Sequence, residues 1–275
     1  MRVIDAHQHF WMLSTEGHVW PTPDDPSIYH DYLPADLSAA AQGTALAASV
    51  LVQSQPTDAD TDWMLRLADH TPSIAAVVGW VDLTLDTAPA RIAELARHPR
   101  LRSLRPMLQS IEDTDWLLRP AVAAAIAAMR DHGLRLDALV QPRHLAMLAR
   151  FADRWPDLPI VIDHAAKPCV ARGEIDPWRS EIAALAARGL WCKLSGLRTE
   201  QAPGQPKAAL RPYVDHLVAC FGDRLMWGSD WPVLLLSGDS YHQWLADALA
   251  LAAPDRAARD RLFGGAAAHF YDLED

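Results

Sequence analysis

The 275-residue chain has little that would tie it to a secreted, membrane-bound or nucleic-acid-binding life. Its three cysteines, Cys169, Cys192 and Cys220, are an odd and widely spaced set. Such a set builds no disulfide framework and reads as reduced, buried thiols of a cytosolic protein. No apolar run approaches the roughly 20 residues a membrane span needs, so no membrane is expected as a partner. No apolar signal core precedes the first strand-like run, and the expected compartment is the cytoplasm. Positive charge is in deficit: 25 Lys and Arg stand against 35 Asp and Glu, a formal net charge of -10. With no basic patch along one face, nucleic acid is excluded as a partner. No glycine-rich phosphate loop follows the first strand, which argues against an open dinucleotide-binding sheet. Short repeats and low-complexity tracts are absent, and no signal for oligomeric state is present.

What is abundant is histidine, at 12 residues, and tryptophan, at 11. Tryptophan is large, rigid and amphipathic, so some of the eleven are candidates for lining a pocket rather than filling a core. Half the residues are hydrophobic, and the length suits one large core. Eight strand-like runs are short and largely apolar on both faces, as buried parallel strands are. They are Val3–His9, Ala47–Gln53, Ile74–Leu83, Arg102–Leu108, Leu134–Gln141, Pro159–His164, Leu190–Ser195 and Arg224–Asp230. Amphipathic helical stretches lie between them: Asp58–His70, Ala90–Arg97, Ala121–Asp131, Arg143–Arg154, Trp178–Arg188, Ala208–Phe221 and Tyr241–Ala252. Gly133 and Gly189 follow two of these stretches as helix-ending glycines. The alternation predicts an α/β fold, a (β/α)8 TIM barrel occupying residues 1–275 as a single domain. Two long loops, Phe10–Pro34 and Gly196–Pro206, follow strands and so belong over the C-terminal mouth, where barrel enzymes carry their sites. The first, rich in Trp, Tyr and Pro, reads as an ordered lid.

The first strand reads VIDAHQHFW. Residues two apart on a strand share a face, so His7 and His9 project together, about 7 Å apart at the backbone. Two imidazoles on one side can converge on one ion at Zn–N distances of about 2.0–2.1 Å. His164 ends the sixth strand in VIDHAAKP, and Asp230 ends the eighth in MWGSDWP. The first and eighth strands of a closed barrel are neighbours, so Asp230 can reach the His7/His9 pair. Three histidines and an aspartate make a ligand set for a divalent metal, with one zinc the first choice.

The runs DAHQHFW, GWVDL, LRPMLQ, VIDHAAKP, WCKLSGL and MWGSDWP, in order from Ile4 to about Tyr271, together resemble the amidohydrolase superfamily. Within it they are most similar to the sugar-lactonase branch typified by L-fuconolactonase and L-rhamnono-lactonase. That resemblance implies a (β/α)8 barrel and hydrolysis of a cyclic ester, with a small-molecule sugar lactone as partner. It carries the superfamily's metal ligands onto His7, His9, His164 and Asp230. Where relatives place a further histidine or carboxylated lysine for a second metal, this chain offers Arg105 and Asp137/Gln141.

Lactone hydrolysis needs a water aimed at the carbonyl carbon, an oxyanion site and a proton for the leaving ring oxygen. Asp230 is the candidate base, and His164 a ligand or hydrogen-bond donor. Arg105, Lys167 and Lys193 are candidate cationic groups at the mouth. For Lys193 the competing reading is a buried pair with Asp82 or Asp137. Gln53, Trp80 and Asp82 are candidate hydroxyl binders, and Trp11 and Trp231 candidate stacking platforms for a sugar ring. The competing enzyme readings are a decarboxylase sharing the barrel and a metal-independent lactonase acting on a dicarboxylate lactone. A sugar-binding protein would explain the tryptophans and leave the histidine–aspartate ring without a purpose.

Overall fold

The structure, a computed structural model, describes residues 2–252 and 255–273. Eight strands run parallel in the order β1 to β8. They are β1 (Val3–Gln8), β2 (Leu46–Val52), β3 (Ile74–Gly79), β4 (Leu101–Leu104), β5 (Arg135–Ala138), β6 (Ile160–Ile162), β7 (Trp191–Leu194) and β8 (Leu225–Trp227). The seam between β1 and β8 closes at the mouth. The Asp230 amide donates to the His7 carbonyl at 2.8 Å, and the His9 amide donates to the Trp231 carbonyl at 2.8 Å. The sheet is therefore a barrel, with helices around it as the alternation predicts.

The helices are α1 (Pro34–Ala40), α2 (Asp58–Asp69), α3 (Ala88–Leu95), α4 (Pro120–Asp131), α5 (Leu145–Arg154), α6 (Trp178–Ala187), α7 (Arg211–Phe221), α8 (Tyr241–Ala252), α9 (Arg256–Asp260) and α10 (Ala266–Tyr271). Local chemistry places their ends. The Thr57 hydroxyl accepts the Asp60 amide at 3.1 Å and caps α2. Prolines sit in the first turns of α1, α3, α4 and α7, where no amide partner is lost. Gly133 and Gly189 follow α4 and α6 with φ of 68° and 88°, as helix-ending glycines do.

Most strands stop short of the expected ends. β3 ends at Gly79 rather than Leu83, β6 at Ile162 rather than His164, and β8 at Trp227 rather than Asp230. The apolar runs continue because Val81, Leu83 and Val140 stay buried after the ladder has ended. Hydrophobic runs report burial, and a buried loop carries the same signal as a buried strand. The expected helix at Ala208 begins instead at Arg211, after a 3₁₀ turn over Lys207–Leu210. Of the three cysteines, Cys192 alone is fully buried, and Cys169 and Cys220 are partly exposed.

The barrel interior is narrow and plugged from below. Ile4, Ala6, Ala48, Val50, Val52, Ala76, Val78, Val161 and Met226 form one buried cluster with Ala266, Ala267, Phe270 and Tyr271 of α10. Small residues on β2 and β3 leave room for this helix, which closes the floor. The Arg135 guanidinium donates to the Phe270 carbonyl at 2.6 Å. The Tyr271 hydroxyl donates to Asp137 Oδ2 at 2.7 Å, inside the barrel.

Tyr271→Phe keeps the ring and removes this donor from a buried carboxylate. Its expected cost is about 1–3 kcal/mol, read as a lower denaturant midpoint with an unchanged slope. An unchanged midpoint would mean that the contact contributes nothing to stability.

Candidate active site

The β1–β2 register shifts between Asp5 and Gln8. Ile4 and Ala6 face the interior cluster, yet the His7 ring also enters the barrel, where it meets Lys193, Asp163 and Arg105. A bulge of this kind re-aims side chains where simple alternation would turn them away. Asp5 anchors it by accepting the His7 amide at 3.2 Å and the Ser229 amide at 2.8 Å.

His164 reaches the site by another device. Val161 points inward, so alternation brings Asp163 inward and would send His164 out. The backbone turns left-handed instead: φ is 51° at His164, 51° at Ala165, 60° at Ala166 and 51° at Lys167. Left-handed backbone costs non-glycine residues roughly 1–2 kcal/mol each, and such strain persists only where packing holds it. Here the Trp178 indole donates to the Ala165 carbonyl at 2.8 Å. Gly196, with φ 65°, lies beneath the imidazole, and a Cβ there would come within 2.5 Å of His164 Nδ1. Asp230 is left-handed too, with φ 56°.

These devices converge on one point. His7 Nε2 lies 3.2 Å from His9 Nε2. Asp230 Oδ1 lies 3.7 Å from His7 Nε2, 3.4 Å from His9 Nε2 and 3.9 Å from His164 Nε2. His9 donates through Nδ1 to the Val52 carbonyl at 2.7 Å, which leaves its Nε2 lone pair facing the cluster. His164 Nδ1 pairs with the Ser195 hydroxyl at 2.9 Å, so its Nε2 also faces inward. Burial holds the His164 imidazole down to about 4, against the pull of Asp230. Burial, with Lys193 beside it, holds His7 well below its usual range. Burial alone would push the Asp230 carboxyl up, but His164, His9 and His7 outweigh it and hold it below the usual carboxylate range. Near neutral pH the Asp230 carboxylate thus stands beside the neutral imidazoles of His7 and His164.

The donor atoms fit a divalent ion. A tetrahedral ion with bonds of about 2.0–2.1 Å spaces its ligand atoms about 3.3 Å apart, and the His7–His9–Asp230 triangle has edges of 3.2, 3.7 and 3.4 Å. A second group, His7, Asp163 and His164, is also close enough for an ion. There Asp163 already meets Lys193 Nζ at 3.0 Å and Arg105 at 3.3 Å, so its charge is answered by fixed cations.

Above the cluster opens a cavity of about 560 Å³. His9, His164 and Asp230 line it, with Arg105 and Lys167. Lys167 Nζ faces Glu200 at 3.7 Å. The other residues singled out for substrate do not line this cavity. Lys193 is fully buried beneath it, paired with Asp137 Oδ2 at 2.5 Å and Asp163 rather than with Asp82. Gln53 is buried and donates to the Arg105 carbonyl at 3.0 Å, while Arg105 donates back to its carbonyl at 2.5 Å. Trp11 is buried, with its indole donating to the His30 carbonyl at 2.8 Å. Trp231 is buried against Phe10 and Tyr32. Trp80 is fixed by Thr61, and Asp82 accepts from Thr84 in its own turn. A strand-end position brought these residues near the mouth without placing them in the wall of this cavity. The residues missed by the sequence reading include Asp163, whose signal was its place beside His164, and cavity-lining residues such as Val19, Trp20, Ser54, Met107, Gln109, Thr199 and Glu200.

A family model described as amidohydrolase matches residues 4–273. The chain is 47% identical over 279 aligned residues to an L-fucono-1,5-lactonase of Burkholderia ambifaria, covering 98% of this chain and 96% of that one. It is 36% identical to an L-fucono-1,5-lactonase of Burkholderia multivorans, covering 99% and 96%. It is also similar to a crystal structure of an amidohydrolase from Burkholderia multivorans with bound zinc, at 35% identity and a TM-score of 0.90 over 100% of both chains.

Lys193→Met removes the ammonium and strands Asp137 and Asp163 as buried, underpaired carboxylates. Breaking a buried pair in this way costs about 3–5 kcal/mol. Chemical denaturation should show a loss of that size, and a loss under about 1 kcal/mol would place Lys193 with weakly coupled surface pairs.

Proposed function

The chain belongs to the amidohydrolase family, and from that premise we infer that its barrel mouth hydrolyses the cyclic ester of a sugar acid. The observation that carries this reading is the ring of His7, His9, His164 and Asp230 at the floor of a cavity walled by Arg105 and Lys167. The protein is a lactonase. Its relatives at 47% and 36% identity are named for L-fucono-1,5-lactone hydrolysis, which favours a six-carbon deoxy-sugar lactone and leaves decarboxylation without support.

His7, His9 and Asp230 would hold a divalent ion, with His164 beside them, and zinc suits this nitrogen and oxygen set. When bound, such an ion polarises the ester carbonyl or lowers the pKa of water. Of the three carboxylates Asp137, Asp163 and Asp230, the first two are paired with the cations Lys193 and Arg105, and Asp230 faces the histidines. That charge count suits one ion better than two.

Asp230 acts as general base. It takes a proton from the attacking water as the water oxygen bonds to the carbonyl carbon and the carbonyl electrons move to oxygen. Arg105 and Lys167 line the same cavity and offset the negative charge that develops there. As the intermediate collapses, the carbon–ring-oxygen bond breaks, its electron pair goes to the ring oxygen, and the proton held by Asp230 returns to it. The product acid then ionises and releases a proton to solvent.

A pH-indicator assay over a lactone panel should show opening of a six-carbon deoxy-sugar lactone faster than of any amide or phosphoester. Asp230→Asn, confirmed folded by circular dichroism, should lose at least about a hundredfold in kcat, since a positioned base contributes about 10²–10⁴-fold. Near-wild-type turnover in that variant would move the base elsewhere, to His164 first. His7→Ala with His9→Ala should abolish bound divalent metal by elemental analysis in a protein that remains folded. Unchanged metal content would refute the ligand assignment.

A further inference from the structure

The cavity wall contains a segment that the barrel itself does not build. Val19 and Trp20 line the pocket, yet they belong to the long loop after β1. The segment 17–21 rests on the turn between β2 and α2 through a small set of contacts. Gln55 makes most of them. Its Oε1 accepts the Val19 amide at 2.8 Å and the Trp20 amide at 3.4 Å. Its Nε2 donates to the Trp20 carbonyl at 2.6 Å and to the Ser54 hydroxyl at 3.1 Å. One amide side chain thus reads both a donor and an acceptor of the segment, as a neighbouring strand would.

Gln55 is fully buried and is itself held in place. Its backbone amide and that of Ser54 both donate to Asp60 Oδ2, at 3.0 and 2.9 Å. The second contact is steric. Gly17, with φ 75°, lies against Thr57, and a Cβ there would come within 2.7 Å of the Thr57 methyl. A third contact is the Trp20 ring, edge-on to Trp11 with centroids 5.6 Å apart. Val19 remains 60% exposed, so burial of its side chain adds little to hold the segment.

We propose that Gln55 is a positioning residue that holds residues 17–21 as a movable wall of the substrate pocket, and that this wall sets how tightly the lactone is bound. The proposal rests on the lactonase reading for its substrate, but not for the docking itself. Gln55 is absent from the cavity lining, whereas its neighbours Ser54 and Pro56 are part of it. It therefore acts on substrate only through Val19 and Trp20. The ring of His7, His9, His164 and Asp230 lies at the end of β1 and after β1, β6 and β8, and shares no hydrogen bond with the segment. Loosening the wall should then weaken ground-state and transition-state binding alike, which raises KM and spares kcat.

Two variants test this. Gln55→Ala removes the side-chain bonds, and Gly17→Ala pushes the segment off Thr57 while leaving Gln55 intact. Each should raise KM about tenfold with kcat within about threefold, the pattern of lost uniform binding. Amide hydrogen exchange should accelerate at least about tenfold in residues 17–21, by local opening, and stay unchanged in β1 and β8. Wild-type exchange in the segment overturns the docking role. Faster exchange with wild-type KM overturns the wall's role in binding. A fall in kcat equal to the fall in kcat/KM overturns it too, by placing Gln55 with the transition state. If the wild type opens no lactone, the functional reading fails, and the exchange result still decides the docking.

Discussion

An ammonium group with no access to water organises the interior of this barrel. Lys193 Nζ meets Asp137 Oδ2 at 2.5 Å, Asp163 Oδ1 at 3.0 Å and His7 Nδ1 at 3.1 Å. A charge taken out of water costs several kcal/mol unless partners answer it, so each of these groups is needed by the others. Asp137 joins the cluster to the floor through Tyr271, and Asp163 joins it to the wall through Arg105. Burial alone would raise the Asp163 carboxyl, but Lys193, His7 and Arg105 outweigh it and hold Asp163 well below the usual range. The same ammonium helps keep His7 uncharged. One buried cation thus ties the plug, the barrel and β1 into a single polar unit.

Such a floor allows strain above it. Four consecutive left-handed residues, His164 to Lys167, and a fifth at Asp230, set two side chains of the site at angles a regular strand would not give. Each is backed by rigid packing: Trp178 against Ala165, Gly196 under His164, and the β1–β8 seam hydrogen bonds around Asp230. Placing the imidazoles in advance spares the reaction the cost of gathering them. The strain is offset by a core that is tightly plugged and by a seam that cannot open without breaking the site.

Legibility in the sequence followed what each signal measures. Burial shows as apolar runs, so the eight strands and the helices between β2 and β8 were readable. Ladder ends were not, because Val81, Leu83 and Val140 are buried outside the sheet. The α10 plug lies in FGGAAAHFY, where two glycines and six helical residues give no periodic pattern. At the site, His7, His9, His164 and Asp230 stood out because strand-end histidines and aspartates are costly unless used. Their meeting depends on a bulge at β1 and left-handed turns, neither of which is written in a spacing of two. Trp11, Trp231 and Gln53 stood at the right strand ends but are buried and do not line the cavity, since a strand end fixes depth and not exposure. Lys193 was ambiguous because a buried pair and a substrate cation look alike until the partners are seen. Glu200, Val19 and Trp20 come from loops, where position along the chain says least about position in space.

The way the cations are paired bears on turnover. A lactone is neutral and its hydrolysis product is an anion, so bare cations at the mouth would hold the product more tightly than the substrate. Arg105 is already engaged by Asp163 at 3.3 Å, and Lys167 by Glu200 at 3.7 Å. Burial raises the Glu200 carboxyl, while Lys167 draws it back. Paired in this way, neither cation is free to trap a carboxylate that persists. Asp230, ionised again once the proton has left, adds repulsion toward that carboxylate from the floor. On the function proposed above, binding of the neutral ring is left to hydrogen bonds and to the apolar side chains of Val19 and Trp20 in the cavity wall, and neither gains strength when the ring opens. On that reading, the charge created by the reaction weakens the pocket's grip on what carries it.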